Sequence, residues 1–519
     1  MRTRTALIAL VAYVVSVPPS ALTQTLPTDD PVIEQIWEEG IENSQTPRLA
    51  QALMDSIGPR LAGSPEFDDA GAWLLAMYES WDVPARQEEY GTWRGWRQGA
   101  LHVDMVAPRT QTLEAELLAY SPGSDGPVEG EVVAPPAGLT EESAPEWLET
   151  IAGKYVLTTS PEPMCRARQE LERYARPETV ERVDSLRQAL REEMSGRMRE
   201  LGRNWRERER ALEDAGAAGI LTSRWSGGWG VNKIFEAGTR WVPAIDVSCE
   251  DYGMLFRMVE AGQAPRIRVD AEAEDLGEVA QFNVIAKLRG TELPDEYVIL
   301  SAHLDSWHAG TGATDNGTGT IMMLEAMRIL RAAYPSPRRT IIVGHWGAEE
   351  MGLIGSRSFV EDHPEVIEGL QVAFNQDNGT WRIERIEGQG FINAGPHIAR
   401  WMSRVPSEIS GHVRLEFPGA QNNRGSDHSS FVCMSAPAFR LQSSYDEYRQ
   451  YTWHTNRDTY DKIVFDDLKE NATLAAMLAY AASEDPERVP GDQAILPVNP
   501  RTGQPRPWMR CGTARRSPN

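Results

Sequence analysis

The chain has 519 residues, a formal net charge of −24 at pH 7 and a pI near 4.9. This length exceeds one ordinary domain and predicts two or three. The negative charge argues against nucleic acid and an anionic membrane surface as partners and indicates a soluble acidic protein.

Residues 1–23 predict a signal peptide. They carry two arginines near the start, an apolar run from Ala6 to Val17 and small residues beyond it. The run is short for a membrane span, so an uncleaved anchor is the weaker alternative. We expect a secreted or periplasmic protein with no stable membrane insertion after signal cleavage.

Residues 24–110 are predicted to form the N-terminal part of a catalytic domain. Apolar residues recur at helical spacing over 32–42 and 69–81, with a Gly/Pro-rich loop between them. Short strand-like runs and turns then fill residues 111–275 and predict an inserted, β-rich domain.

A stretch dense in Arg and Glu lies within this insert, between Arg166 and Arg210. Its composition predicts a helical hairpin, whose charges either pair with one another in solvent or form a lid or a dimer contact. Trp225 and Trp229 lie in the Gly-rich loop beyond it. There they either line a substrate cleft or pack in a core.

From 276 to 489, apolar strand-like runs alternate with helical segments. This alternation predicts an α/β domain with a mostly parallel sheet flanked by helices. Polar residues that follow such strands converge on the crevice where these sheets bind ligands. Residues 490–519 form a Pro/Arg-rich tail without hydrophobic periodicity, to which we assign no chemistry.

Polar side chains at these strand ends and in neighbouring loops have the chemistry of metal ligands. Imidazole and carboxylate bind zinc, and a catalytic zinc keeps one position open for water. His303, Asp377 and Asp315 would hold one zinc ion. Glu350, His454 and the same Asp315 would hold a second, so five side chains suffice for two zinc ions.

Glu349 is not needed as a ligand and is predicted to be the general base for a water bridging the two metals. Metals about 3.5–4 Å apart acidify such a water, polarise the scissile carbonyl and stabilise the oxyanion. The expected reaction is hydrolysis of an amide bond. His308 and His345 are rejected as further ligands, because His345 lies within its strand and the loop of His308 already supplies ligands.

The cysteines are not predicted to bind metal. Cys165, Cys249, Cys433 and Cys511 are far apart and lack the close spacing of a thiolate zinc site. Export permits disulfides, and Cys165 and Cys249 fall within one predicted domain. Their pairing stays open at this point.

The motifs resemble those of the co-catalytic di-zinc exopeptidases, which include secreted aminopeptidases and glutamate carboxypeptidases. The chain has HLDSW at 303–307, TDNGTG at 314–319, AEEMG at 348–352, QDNG at 376–379 and HTNRDT at 454–459. The likeness is greatest to the plasma glutamate carboxypeptidase branch. It implies a zinc exopeptidase fold, the metal roles given above, short peptides as substrates and a homodimer.

The resemblance implies further roles for single residues. It gives Asp305 the role of a carboxylate that orients His303. The AGAAGIL and VPAI segments of residues 111–275 are similar to the protease-associated domain that relatives insert. Relatives often place an aromatic hydroxyl close before the last His, whereas Trp453 precedes His454 here. No oxyanion-stabilising hydroxyl is therefore assigned, and Tyr451 is kept as a substrate-binding candidate.

An exopeptidase must also bind a free end of its substrate. Arg424 lies just before a GSD segment that resembles a pocket segment of the family, and it is a candidate for bidentate binding of an α-carboxylate. Asp427 either binds an α-amine or braces the loop. Aminopeptidase, carboxypeptidase and dipeptidase activities all stay open.

Two alternatives belong to other classes of function. One is a catalytically inactive receptor or scaffold on the same fold, and the other is a glutaminyl cyclase-like acyl transfer with a single zinc. Both predict that some ligands are lost, whereas all five ligand positions and Glu349 are present. We therefore predict a zinc-dependent exopeptidase.

Overall fold

The computed structural model describes residues 28–377, 379–421 and 425–518. The predicted signal peptide therefore lies outside the described residues. The helices are α1 (Pro31–Trp37), α2 (Thr46–Gln51), α3 (Pro65–Ser80), α4 (Ala144–Leu148), α5 (Arg168–Tyr174), α6 (Pro177–Arg199), α7 (Trp205–Asp214), α8 (Cys249–Glu260), α9 (Thr318–Ala333), α10 (Ile354–Asp362), α11 (Pro364–Glu368), α12 (Gly395–Met402), α13 (Ser407–Ser410), α14 (His428–Val432) and α15 (Phe465–Glu484). The strands are β1 (Ala85–Ala107), β2 (Gln111–Thr112), β3 (Ala115–Leu117), β4 (Val128–Val133), β5 (Tyr155–Leu157), β6 (Gly219–Thr222), β7 (Ala244–Val247), β8 (Arg266–Leu288), β9 (Leu293–His303), β10 (Arg339–Trp346), β11 (Leu370–Asn375), β12 (Ile383–Glu387), β13 (Arg414–Glu416) and β14 (Ala438–Ser443).

The strands form one mixed sheet in the order β13-β12-β14-β11-β9-β10-β8-β4-β5-β6-β7-β3. At its centre β9 pairs in parallel with β10 and β11, and β11 pairs in parallel with β14. β8 runs antiparallel to both β10 and β4. The predicted α/β class is confirmed. Among the described strands from β8 to β14, four pairings are parallel and two are antiparallel, so this part of the sheet is mostly parallel, as predicted.

β8 lies between the central strands β9 to β11 and the insert strands β4 to β7, and it pairs with β1 in a long antiparallel ribbon. The pairing runs from Ala85 opposite Ala286 to Ala107 opposite Arg266. The predicted domain boundary between 275 and 276 therefore lies inside β8. The two strand-like segments of the sequence on either side of it are one strand, because β1 supplies backbone partners along nearly its full length.

Residues 111–275 are richer in helix than predicted. The short parallel strands β4 to β7 are accompanied by helices α4 to α8, so the β-rich prediction is wrong for this segment. The stretch from Arg166 to Arg210 forms most of α5, α6 and α7, since its Arg and Glu pair at helical spacing, as in Arg168 with Glu172. The backbone is extended at Arg176, before Pro177, which separates α5 from α6.

Two apolar cores support the sheet. One surrounds the central strands β9, β10 and β11 with helices α9 and α15, and the second surrounds the insert strands β5, β6 and β7. α9 spans Thr318–Ala333, and nearly all of its residues are buried. α3 begins earlier than predicted, because the Ser64 hydroxyl caps the helix by accepting from the backbone N–H of Phe67. Within the part of the chain that the structure describes, no helix is long and apolar enough to cross a membrane.

All four cysteines form disulfides, Cys165 with Cys249 and Cys433 with Cys511. The second bond ties the C-terminal tail to the end of α14. The tail also packs through Trp508, whose Nε1 donates to the carbonyl of Val432. Arg516 further along forms ion pairs with Glu361 and Asp362 of α10.

We expect the double change Cys433→Ser and Cys511→Ser to release this tail while leaving the sheet folded. Loss of a disulfide that closes a long loop costs on the order of 2–4 kcal/mol in the free energy of unfolding. Limited proteolysis should then cut after 490 at a rate that rises in the variant, and calorimetry should record a lower melting temperature. Cys165→Ser with Cys249→Ser is the matched control, in which tail cleavage should stay slow. Equal tail cleavage in both variants would contradict the expectation.

Candidate metal centre

The predicted site residues lie at the carboxyl ends of the central strands. His303 is the last residue of β9, Glu349 follows the end of β10, and Asp377 follows the end of β11. The remaining residues come from loops: Asp315 precedes α9, and His454 follows β14. Parallel strands end at the same edge of a sheet, so side chains far apart in the sequence meet here.

His303, Asp315 and Asp377 form one fully buried group whose ligand atoms lie close enough together to hold a metal ion. Nε2 of His303 lies 3.5 Å from Oδ1 of Asp315 and 3.4 Å from Oδ1 of Asp377. Burial opposes a positive charge on His303, but the carboxylates of Asp305, Asp315 and Asp377 outweigh it and raise the pKa of this imidazole well above its usual value. The same field attracts a metal cation.

Asp315, Glu350 and His454 form the second group. Nε2 of His454 lies 3.3 Å from Oδ2 of Asp315 and 2.9 Å from Oε2 of Glu350. Burial lowers the pKa of His454 to about 4, against the attraction of Asp315, so the neutral ring keeps a lone pair available. The two oxygens of Asp315 thus face two different imidazoles, one in each group.

Asp305 holds the site in a different way from the predicted one. Nδ1 of His303 donates to the backbone carbonyl of Asp305 at 2.9 Å, while the nearer carboxylate oxygen lies 3.6 Å from that nitrogen. The carboxylate instead accepts from the backbone N–H groups of Glu349, at 3.0 Å, and Glu350, at 3.1 Å. The prediction that the Asp305 carboxylate orients His303 is therefore corrected: it anchors the Glu-Glu pair, because those amides are closer than the ring.

Asp458 fixes the loop that carries Asp315. Its two carboxylate oxygens accept from the backbone N–H groups of Thr314, at 2.8 Å, and Asp315, at 3.0 Å. Burial raises the pKa of Asp458 to about 7, although these backbone N–H groups oppose the shift. Asp458 was missed as a site residue in the sequence, although it lies in the HTNRDT motif.

Arg60 fixes the preceding loop and was also missed. Its side chain is completely buried. The guanidinium donates to four backbone carbonyls, those of Gly58, Leu304, Thr311 and Gly312, at 2.8–2.9 Å. One buried side chain therefore joins the N-terminal segment to both ends of the loop that follows His303.

Glu349 is half-buried beside these groups. Burial, opposed by His303 and reinforced by Asp377, raises the pKa of its carboxyl well above the usual value. It belongs to neither ligand group. Its carboxylate is therefore not required as a metal ligand.

An aromatic wall closes one side of the centre. Nε1 of Trp307 donates to Oε2 of Glu350 at 3.0 Å. The ring of Trp453 stacks on His454, with centroids 3.9 Å apart. Phe235, from the predicted insert, lies 5.2 Å from the His454 ring and 5.5 Å from the Trp307 ring. Residues of the predicted insert therefore contact the metal centre directly.

The rejected histidines bind elsewhere. Nε2 of His308 is 2.7 Å from the carbonyl of Leu117, and Nε2 of His345 is 2.7 Å from the hydroxyl of Tyr78. Burial lowers the pKa of His308 to about 4 and that of His345 to about 3. Neither ring is part of a ligand group among the described residues.

The predicted substrate-binding residues differ in position and in exposure to solvent. Arg424 lies outside the described residues. Asp427 is fully buried, and its role as a binder of an α-amine stays a prediction. Tyr451 is 36% exposed and lies in the loop that carries His454, while Trp229 is 66% exposed and lines no core. Trp225 is half-buried under the guanidinium of Arg187.

The donor set fits divalent zinc. Oδ2 of Asp315 and Oε1 of Glu350 are buried and have no hydrogen-bond partner among the residues described. Buried polar atoms rarely stay unsatisfied, and clustered carboxylates repel one another unless a cation lies between them. Carboxylate and imidazole donors are those that zinc accepts.

Comparison with known proteins agrees with this geometry. Residues 283–479 match the model of peptidase family M28. Carboxypeptidase Q from Rattus norvegicus is 24% identical over 450 residues, which cover 84% of this chain and 85% of that protein.

Two solved structures share the fold. The peptidase M28 precursor from Shewanella amazonensis SB2B has a TM-score of 0.63 at 24% identity, over 88% of this chain and 97% of that one. The zinc aminopeptidase from Bacillus subtilis has a TM-score of 0.53 at 18% identity, over 86% and 96%. The resemblance predicted from the motifs is thus confirmed. Residues 283–479 are thus similar to peptidase family M28, and this match together with the likeness to carboxypeptidase Q supports a hydrolase of the metallo-exopeptidase class.

Proposed function

We propose that this chain binds two zinc ions and hydrolyses the terminal peptide bond of short peptides. The observation that carries the proposal is the placement of Asp315, whose Oδ1 faces His303 and whose Oδ2 faces His454. One carboxylate is thereby shared between two groups of three ligands. Such sharing is the arrangement that a two-metal hydrolase needs.

The proposed ligands are His303, Asp315 and Asp377 for one ion, and Asp315, Glu350 and His454 for the other. When bound, the ions would lower the pKa of a water and polarise the scissile carbonyl. The hydrogen bond from Nδ1 of His303 to a backbone carbonyl directs Nε2 at the carboxylates, where it would bind the ion after losing its proton.

Glu349 is the proposed general base. It removes a proton from the attacking water as the water oxygen bonds to the carbonyl carbon. It then gives that proton to the leaving nitrogen as the carbon–nitrogen bond breaks. Burial raises its pKa, so it accepts a proton more readily than an exposed carboxylate. Asp305 keeps its backbone in place.

Secretion, the domain organisation and a homodimer are also proposed. Secretion is supported by the two disulfides, which persist in oxidising compartments. Residues 24–110 and the segment from β9 to residue 489 are proposed as the peptidase part, residues 111–265 as a protease-associated-like insert joined to it through β8, and 490–519 as a tail. A homodimer rests on the resemblance alone. The scaffold and cyclase alternatives have no specific observation in their favour, since every proposed ligand and Glu349 is present.

Glu349→Gln should abolish the proton transfer while preserving the size of the side chain. We expect kcat to fall on the order of 10²–10⁴-fold with the zinc content unchanged, because Glu349 is outside both ligand groups. Peptide turnover and elemental analysis measure the two quantities. Glu365→Gln, at a well exposed carboxylate, is the control and should keep full activity. Normal turnover in Glu349→Gln with normal zinc content would refute the role of this residue.

Asp315→Asn should weaken both zinc sites, because each oxygen of Asp315 belongs to one group. His454→Gln should weaken only one site. Zinc per chain after dialysis, measured by elemental analysis, should therefore fall further in Asp315→Asn than in His454→Gln. The exposed Asp461→Asn serves as the control. Undiminished zinc in Asp315→Asn would contradict a shared ligand.

Terminal specificity is tested with peptides blocked at one or both ends. We expect cleavage of unblocked dipeptides and tripeptides and none of doubly blocked ones, because an exopeptidase must bind a free end. The released amino acids are quantified for the zinc-loaded protein, with Glu349→Gln as the blank. Cleavage of a doubly blocked peptide at the wild-type rate would exclude an exopeptidase.

A further inference from the structure

Two cationic side chains lie against the indole that covers His454. Nζ of Lys233 lies 4.0 Å from the centroid of the Trp453 ring, and Cζ of Arg449 lies 6.0 Å from it. The same indole stacks on His454 with centroids 3.9 Å apart. Both cations therefore border the metal centre, although neither belongs to a ligand group.

The backbone fixes the position of Lys233. Lys233 forms an antiparallel bridge with Thr455. The N–H of Ile234 donates to the carbonyl of His454 at 2.8 Å, and the N–H of Asn456 donates to the carbonyl of Asn232 at 3.1 Å. Residues 232–234, from the predicted insert, thus run beside residues 454–456 as a short ribbon. Lys233 is placed by this ribbon and not by a flexible loop.

Neither cation has a carboxylate partner in ion-pair contact within 28–377, 379–421 or 425–518. Arg449 is exposed, and Lys233 is half-buried. Burial and the neighbouring Arg449 lower the pKa of Lys233 to about 8, while Asp315 opposes this shift. The ammonium group therefore stays mostly charged at neutral pH. In a chain with net charge −24, two unpaired cations beside the centre are a specific feature.

The charge of a peptide substrate explains this feature. A C-terminal carboxylate that approaches the centre is repelled by Asp315, Glu350 and Asp377 until zinc and other cations offset their charge. An ammonium and a guanidinium beside the centre would supply that attraction and would also donate charge-assisted hydrogen bonds. Blocking the carboxylate as an amide removes both effects.

We propose that Lys233 and Arg449 bind the C-terminal carboxylate of the peptide substrate, so that the enzyme acts on peptides with a free C-terminus and releases their last amino acid. The inference rests on the proposed hydrolase function and specifies its substrate class. It also gives the predicted insert a role in substrate recognition, since Lys233 comes from residues 111–275. No signal in the local sequence around Lys233 pointed to this role.

The test compares a dipeptide with its C-terminal amide for four proteins: wild type, Lys233→Gln, Arg449→Gln and Lys233→Arg. We expect wild type to prefer the free acid. Lys233→Gln and Arg449→Gln should raise KM for the acid about 10–100-fold while kcat changes little, because a charge-assisted contact is lost. Their kcat/KM for the amide should stay near the wild-type value, and Lys233→Arg should recover part of the preference.

Lys469→Gln, at a lysine paired with Asp466 on α15, is the matched control. It should change the kinetic constants for neither the acid nor the amide. Zinc content and melting temperature verify that each variant is folded and loaded. An equal loss for acid and amide in Lys233→Gln would mean that Lys233 only holds Trp453 in place, and it would overturn the inference. Equal cleavage of acid and amide by wild type would overturn it as well.

Failure of the proposed function has a different signature. If neither acid nor amide is cleaved in a Glu349-dependent manner, the hydrolase proposal falls and takes the inference with it. Binding to zinc-loaded Glu349→Gln provides a second readout that needs no turnover. Calorimetric titration should detect tighter binding of the dipeptide than of its amide. The difference in affinity should vanish in the double variant that carries both Glu349→Gln and Lys233→Gln. Equal binding of the two ligands would also overturn the inference.

Discussion

Repulsion among clustered carboxylates is the constraint on which the rest of this structure depends. Asp305, Asp315, Glu350 and Asp377 meet at one edge of the sheet, where little water remains to screen them. Removing such charges from water is costly unless hydrogen bonds or cations offset the loss. The surrounding contacts supply that offset in part through backbone N–H groups, which hold Asp305 and Asp458. The remaining unsatisfied oxygens define the place for metal ions.

The site is rigid because its supports are buried and mostly made by the backbone. Arg60 ties the N-terminal segment to the loop after β9 through carbonyl groups, so no side-chain rotation at the acceptor can release it. Asp458 holds the loop before α9 through two N–H groups. Ligand geometry is thereby set before any metal binds, which reduces the ordering that binding would otherwise require.

Local sequence signals predicted the site residues at the strand ends well. They did not predict the contacts between segments that are far apart in the sequence. His303, Glu349 and Asp377 each follow an apolar run, and the carboxyl-end rule then brings them together. The pairing of β1 with both halves of β8 left no such signal, so a boundary was predicted inside a continuous strand. The same reason hid the contact of Lys233 with Trp453: the two residues are more than two hundred positions apart, and neither segment has an unusual composition.

The short ribbon between residues 232–234 and 454–456 couples the stability of the insert to metal binding at the centre. The carbonyl of His454 accepts from Ile234, so a displacement of that part of the insert pulls on the backbone of a proposed ligand. Thermodynamic linkage is reciprocal. If bound metal stabilises the ribbon by some free energy, an intact ribbon strengthens metal binding by the same free energy. A partner or a crowding surface that tilts the insert would therefore change zinc occupancy without touching the crevice.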